Sequence, residues 1–149
     1  MTTNILSLPL AGLEISTGTN EDWIDAVEYV MDDGTASPPQ LDLRGIKFWI
    51  QVRAAADDPQ VVIEGSTDDD TLLIGTYPEY GFLIFNVLEA RMRGILPGNY
   101  VGDVVAMADG YTRVTLQIAM TIVEGVTREP FLRTPSQVLL VPVAPVNTP

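Results

Sequence analysis

The fold is decided by residues 97–125, PGNYVGDVVAMADGYTRVTLQIAMTIVEG, in which two apolar runs flank the pair Asp109-Gly110. In the second run apolar and polar residues alternate, and one side carries Val114, Leu116, Ile118, Met120 and Ile122. Successive side chains of a strand point to opposite faces, so this alternation indicates a half-buried β-strand. An Asp-Gly pair between such runs is typical of a tight hairpin. The stretch therefore predicts two long antiparallel strands that need a second layer to cover their apolar face.

The composition predicts one globular domain. The chain has 149 residues, of which 46% are apolar and 19% charged, and this is enough to build a substantial core. Because no apolar run approaches the roughly 18 residues of a membrane span, we expect no membrane partner. Residues 1–40 contain no Lys or Arg, which argues against a secretory or mitochondrial targeting segment. We therefore expect the chain to fold in the cytoplasm in which it is made.

The charged and reactive residues exclude several functions. The net charge of −12 comes from 20 acidic and 8 basic residues, and such a field repels a nucleic-acid backbone. The acidity is interpreted either as a means of solubility or as a surface that docks on a basic partner. The absence of Cys and His removes disulfides, thiolate nucleophiles, imidazole bases and the common zinc ligands. The sequence therefore predicts a protein that is not an enzyme and holds no metal or cofactor.

The middle of the chain reads as short strands separated by turns. Residues 41–54 alternate strongly, with Ile46, Phe48, Ile50 and Val52 on one side. Residues 23–31 fit either a helical face or a strand, and the following Asp32-Asp33-Gly34 turn favours a strand. Shorter strands are predicted at 60–65, 72–75 and 81–87, with one short helix at 88–96. This rhythm predicts an all-β sandwich of about seven strands over residues 21–127.

Both ends of the chain are apolar arms. Residues 1–20 contain Ile5, Leu8, Leu10, Leu13 and Ile15, and they are expected to form an edge strand or to become ordered only against a neighbouring subunit. Residues 128–149 contain five prolines and are expected to be extended. Their apolar surface predicts that they pack on a partner, although packing on their own domain is the competing interpretation. The predicted interface residues are Leu8, Leu10, Leu13, Phe131, Val138, Leu140, Val141 and Val143.

Several motifs, taken together, resemble a small structural protein of tailed phages and prophages. They cover residues 21–128 and stand in this order: Asp33-Gly34, Leu41-Asp42-Leu43-Arg44-Gly45, Phe48-Trp49-Ile50-Gln51-Val52-Arg53, Leu96-Pro97-Gly98-Asn99-Tyr100, Asp109-Gly110 and Gly125-Val126-Thr127-Arg128. The set resembles the immunoglobulin-like amino-terminal domain of phage upper-baseplate proteins. The two apolar arms are not part of that pattern.

This resemblance implies an immunoglobulin-like antiparallel sandwich that serves as a multi-copy adaptor in the tail or baseplate of a virion. Its partners would be other virion proteins and copies of itself. A capsid decoration or head–tail connector protein is the alternative position. A carbohydrate-binding module is the alternative of another class, since Trp23, Trp49, Tyr77, Tyr80, Tyr100 and Tyr111 could stack on sugars or simply pack in the core.

The acidic residues allow two further interpretations. Asp57-Asp58 and Asp68-Asp69-Asp70 suggest calcium, which prefers carboxylate oxygens, but the spacing of an EF-hand loop is missing and a solvated turn is favoured. Glycoside cleavage needs a carboxylate pair, for which the candidates are Glu79, Glu89, Asp103 and Glu124. Nothing in the sequence brings two of them together.

Overall fold

A computed structural model describes residues 4–31 and 34–127 of the chain. Within these ranges a short 3-10 helix at Ile5–Ser7 is followed by eight strands and one helix. The strands are β1 Ala11–Gly18, β2 Trp23–Glu28, β3 Lys47–Arg53, β4 Ile63–Ser66, β5 Leu72–Ile74, β6 Phe82–Val87, β7 Gly98–Ala108 and β8 Tyr111–Val123, with α1 at Glu89–Met92 between β6 and β7. No helix among the described residues is long and apolar enough to cross a membrane.

The strands form two sheets packed over one core. The larger sheet has the order β1-β8-β7-β3-β4 and the smaller one the order β2-β6-β5. An immunoglobulin-like sandwich places its G, F and C strands in one sheet and its B, E and D strands in the other, and this order follows that plan. The predicted fold class is therefore confirmed. The strand beyond the expected seven is β1, which pairs with β8 in parallel.

The central hairpin is present as predicted. Strands β7 and β8 pair antiparallel from Gly98 opposite Ile122 to Ala108 opposite Tyr111. The turn residues Asp109 and Gly110 both have positive φ, 54° and 79°. Two positive φ angles are what a two-residue type I′ turn requires, and glycine adopts them at no steric cost.

A β-bulge corrects one part of the predicted alternation. Val104 pairs with Leu116 but Val105 pairs with Val114, so that Thr115 is the extra residue of β8. A bulge turns the side chains on one side of it to the opposite face. Val114 was predicted to share the buried face, yet it is 40% exposed, and Thr115 is buried instead.

The smaller sheet supplies the second layer. Residues 23–28 form a strand, β2, as predicted, and Trp23 stacks on Phe85 of β6 with ring centroids 5.0 Å apart. The face of β3 that carries Phe48, Ile50 and Val52 is fully buried. The core therefore lies between this face of β3 and the aromatic pair on the smaller sheet.

The first 20 residues contribute a strand to the sandwich itself, which places part of the predicted amino-terminal arm in the larger sheet. Strand β1 pairs with β8 along its whole length, which is the edge-strand alternative. Ile5 and Leu8 are buried in the chain's own core. The Arg113 Nε donates a hydrogen bond to the Leu8 carbonyl oxygen at 2.8 Å and fixes this segment on β8. Leu8 is therefore a core residue and is not available as the interface residue that was predicted.

The connection between β6 and β7 contains the predicted helix, which is shorter than the predicted range of 88–96. Helix α1 is one turn long, and Glu89 forms an ion pair with Arg93, four residues further on. Tyr100, near the start of β7, donates its hydroxyl to the Leu96 carbonyl oxygen. A tyrosine that bonds back to the chain a few residues upstream of the F strand is a hallmark of immunoglobulin-like domains.

Candidate interaction surfaces

Among residues 4–31 and 34–127, the outer edge of β1 is an open edge of the larger sheet. The order of the sheet within these ranges gives β1 one neighbour, β8. Just beyond the strand, the Thr19 N–H donates to the Val123 carbonyl oxygen of β8 at 3.0 Å. Backbone groups alternate in direction along a strand, so Gly12, Glu14 and Ser16 direct their N–H and C=O groups away from β8. These three residues form what we call the β1 edge.

The β1 edge ends at a cap formed by Glu21. The Glu21 Oε1 accepts hydrogen bonds from the Gly18 N–H at 2.9 Å and from the Thr17 hydroxyl at 3.0 Å. The last outward N–H of β1 is thus occupied within the chain. A strand that pairs with β1 therefore has the groups of Gly12, Glu14 and Ser16 to bind.

The side chains of the β1 edge are small, apart from one acid. Leu13 and Ile15 point inward and pack on the core, so Gly12, Glu14 and Ser16 point to the outer face of the sheet. Glu14 is exposed and is the one charged residue of β1. An acidic residue at the centre of the edge favours a neutral or basic strand as its partner.

The bulge at Thr115 places an apolar row on the outer face of the larger sheet. Trp49 of β3 lies opposite Val105 of β7, which lies opposite Val114 of β8. Trp49 and Val114 are 41% and 40% exposed. Tryptophan is enriched among residues that dominate binding energy at protein interfaces. The row is therefore a second candidate contact on the same sheet as the β1 edge.

The end of β8 is fixed beside the end of β1. The Asn20 Nδ2 donates to the Thr127 carbonyl oxygen at 2.7 Å, and the Gly125 N–H donates to the Thr19 hydroxyl at 2.9 Å. A Cβ at Gly125 would lie 2.1 Å from the Asn20 Cγ, so glycine is required at this close approach. The Gly125-Val126-Thr127 motif thus holds the segment after β8 beside the end of β1.

The predicted interface residues divide into three groups. Leu8 is buried, as described above, and Leu13 is half-buried against the core. Leu10, which directly precedes β1, is 53% exposed and is the member of the described set that faces solvent. Phe131, Val138, Leu140, Val141 and Val143 lie outside the described residues.

The four carboxylates proposed for catalysis do not come together as one site. Glu89 and Glu124 line one cleft of about 320 Å³, but Glu89 is paired with Arg93. Asp103 lies on the outer face of β7 and lines a different cleft, while Glu79 lies in the turn before β6. The described residues contain no group of three potential metal ligands.

The Asp68-Asp69-Asp70 stretch forms the turn that the sequence favoured. The Asp69 Oδ1 accepts hydrogen bonds from the Ser66 and Thr71 N–H groups, both at 3.0 Å. The first of these bonds is the main cause that lowers the pKa of Asp69. Asp68 pairs with Lys47 at 2.6 Å. The aspartates therefore shape the turn between β4 and β5.

The aromatic residues considered for sugar stacking fall into a buried and an exposed group. Trp23 and Tyr100 are buried. Tyr77 is 81% exposed and meets Tyr80 edge-on, with ring centroids 6.0 Å apart. The Arg44 guanidinium lies 3.8 Å from the centre of the Tyr80 ring. Tyr77, Tyr80 and Arg44 therefore form a cluster at the surface.

The sequence predicted an edge strand within residues 1–20 as one alternative without placing it, and it did not reveal the bulge row. The alternation of Leu13, Ile15 and Thr17 was a signal that could have identified β1 as a strand. It was obscured by the overall apolar character of the arm. The inward turn of Thr115 had no signal in the sequence, since it depends on the pairing of β8 with β7.

Comparison with known proteins supplies similarity of fold alone. No described protein family matches the sequence, and no well-characterised protein matches it significantly. CopC from Methylosinus trichosporium OB3b is 11% identical, with 76% of this chain and 89% of CopC covered and a TM-score of 0.39. An extracellular fragment of novel immune-type receptor 11 from Ictalurus punctatus is 11% identical, with 79% and 90% covered and a TM-score of 0.34.

A third structure covers only a small part of its own chain. The 2,6-sialyltransferase of Photobacterium sp. JT-ISH-224 is 10% identical, with a TM-score of 0.33. The match includes 79% of this chain but 18% of the sialyltransferase.

The strand order of this chain defines its structural class, which is an immunoglobulin-like β-sandwich with a parallel edge strand.

Proposed function

We propose that the protein is a non-enzymatic structural component of a bacteriophage virion. It acts as a multi-copy adaptor in the tail or baseplate region, is made in the host cytoplasm and docks its termini on neighbouring subunits. The observation that carries this proposal is the open β1 edge. Unpaired backbone groups of an edge strand bind an extended segment of another chain by strand addition.

Two further observations support the proposal. The motifs of residues 21–128 resemble the immunoglobulin-like domain of phage upper-baseplate proteins in their order and spacing. The apolar row of Trp49, Val105 and Val114 lies on the same sheet as the β1 edge, so a docked neighbour has both backbone groups and an aromatic anchor to bind. A contact in which the edge of one copy binds a different surface of the next copy is head-to-tail. Such contacts generate a closed ring when the rotation between successive copies closes.

The proposal is tested by the location of the chain in intact particles. Phage particles that encode the chain are purified and their proteins are quantified by mass spectrometry against the major capsid and tail-tube proteins. We expect peptides of the chain in the particles, at the low copy number of a tail or baseplate ring. Absence from purified particles would overturn the proposal. A copy number equal to that of the capsid protein would select the alternative of a capsid decoration protein.

A specific observation favours one function of another class. Tyr77, Tyr80 and Arg44 form an exposed aromatic and cationic cluster, and aromatic rings stack on sugars. If the protein is a carbohydrate-binding module, Tyr77→Ala and Tyr80→Ala lose binding on a glycan array while assembly is unchanged. Trp49→Ala tests the outer face in the same way. Leu96→Ala is the control, since the Leu96 side chain is exposed but has no aromatic ring to stack on a sugar.

A further inference from the structure

The charge on the β1 edge limits which strand can bind there. The register that uses all three outward residues of two antiparallel β1 strands places Glu14 opposite Glu14. Like charges directly opposite one another destabilise a strand pair. Symmetric pairing of two β1 edges is therefore disfavoured, and the edge selects a segment with no acidic residue.

One segment of this chain has the required properties. Residues 136–141, SQVLLV, carry no charge and lie between Pro135 and Pro142. Valine and leucine at four of six positions suit a strand, and the flanking prolines limit its length. Six residues match the stretch from Gly12 to Thr17 that contains the β1 edge. Arg133 precedes the segment and supplies a cation for Glu14.

The position of Thr127 favours a second copy over the same one. Asn20 fixes Thr127 beside the carboxyl end of β1. From there an extended chain that runs back along β1 covers roughly 36 Å before it reaches Val138, at about 3.3 Å per residue. The eight residues of β1 span only roughly 26 Å on the same scale. A tail that is extended, as Pro130 and Pro135 favour, would therefore carry the segment past its own strand, whereas pairing within the same copy requires residues 128–135 to turn back as a loop.

We infer that residues 136–141 of one copy pair with the β1 edge of a second copy. This inference rests on the proposed multi-copy function and names the segment through which the copies are joined. The added strand bonds to the backbone of Gly12, Glu14 and Ser16 and ends before the Glu21 cap. Its side chains on the outer face lie beside Glu14.

The test uses the absence of cysteine from the chain. Full-length Glu14→Cys is mixed with full-length Leu139→Cys, and separately with Leu140→Cys, and each mixture is oxidised mildly. We expect a disulfide-linked heterodimer with one of the two tail positions and not with the other, because adjacent side chains of a strand point to opposite faces. Asp57→Cys replaces Glu14→Cys as the control, since Asp57 lies in the exposed loop after β3, and no heterodimer is expected.

A second pair of variants tests the edge itself. Ser16→Pro in the Glu14→Cys chain removes an outward N–H and should abolish the heterodimer, while Ser16→Ala should retain it. A monomeric disulfide in the chain that carries both cysteines, with none between chains, would overturn the inference. Equal cross-linking of both tail positions, or none at all, would also overturn it. The proposed function is judged separately by the presence of the chain in particles, which none of these outcomes decides.

Discussion

The Tyr29 hydroxyl donates a hydrogen bond to the Thr115 hydroxyl at 3.3 Å, inside the core. Tyr29 directly follows β2 of the smaller sheet, and Thr115 is the bulge residue of the larger sheet. The Thr115 hydroxyl in turn donates to the Val104 carbonyl oxygen at 3.3 Å. The bulge that exposes Val114 therefore turns inward a hydroxyl that joins the two layers.

Thr115→Val tests this connection at almost constant volume. Valine leaves the buried Tyr29 hydroxyl without its acceptor, and a buried polar group that loses its partner costs about 1–3 kcal/mol. We expect the free energy of unfolding in urea to fall by that amount. Thr112→Val, on the exposed part of the same strand, should change it by less than about 0.5 kcal/mol. Equal effects of the two substitutions would contradict the connection.

Tyr29 also predicts a loss of stability at alkaline pH. Burial raises the pKa of the Tyr29 hydroxyl above its ordinary value, while the bond to Thr115 acts in the opposite direction. Above about pH 10 the unfolded chain releases this proton and the folded chain keeps it, so stability falls as the pH rises. We expect urea midpoints between about pH 9 and 11 to fall less steeply in Tyr29→Phe. Tyr111→Phe, which alters an exposed tyrosine, should keep the steeper slope of the parent chain, and parallel slopes for all three chains would refute the prediction.

The central hairpin could be predicted from the sequence because its determinants are local. Asp109-Gly110 supplies the positive φ angles of the turn, and the alternation from Leu116 to Ile122 specifies the buried face. The bulge could not be predicted in this way. It depends on how Thr115 meets Val104 and Tyr29, and Tyr29 is far away in the sequence.

The structure of the first 20 residues also depends on contacts that are distant in the sequence. Their apolar character is visible in the sequence, but the partner that covers them is not. Leu8 is held by Arg113, across more than 100 residues, and β1 pairs with the far end of the chain. The β1 edge and its Glu21 cap follow from that long-range pairing, so the sequence alone left an edge strand and a neighbouring subunit as alternatives for the apolar surface.

The ion pair between Asp42 and Arg44 predicts that the Asp42 carboxyl group has a low pKa. The Arg44 side chain donates to both Asp42 oxygens, at 2.7 Å from Nη2 and 3.0 Å from Nε. This bond, with a smaller contribution from the Arg44 N–H, lowers the pKa of Asp42 to about 2. The stabilisation is complete above the ordinary carboxyl value of 3.8 and is lost as the pH falls through about 2.

An NMR titration of the Asp42 carboxyl carbon checks this pair. We expect a midpoint near pH 2 in the parent chain and a higher midpoint in Arg44→Gln, still below 3.8, since glutamine lacks the cation but keeps the backbone N–H. Arg53→Gln is the control, because the Arg53 side chain bonds to Gln51 and the Asp58 carbonyl oxygen instead. An Asp42 midpoint that does not change in Arg44→Gln would contradict the assigned cause.

Gly125→Ala tests the close contact between Gly125, after β8, and Asn20, after β1. The added Cβ would lie 2.1 Å from the Asn20 Cγ and 2.3 Å from the Asn20 Cβ. Overpacking of this kind costs roughly 1–3 kcal/mol, and we expect that loss in the free energy of unfolding. Asn20→Gly should relieve it in a double-mutant cycle, whereas Asn20→Ala should not, because alanine keeps the clashing Cβ. Gly94→Ala, with no atom within 4 Å of its Cβ, is the matched control. If Asn20→Ala relieves the loss as fully as Asn20→Gly, the side chain of Asn20 beyond Cβ is the obstacle and the close backbone approach is refuted.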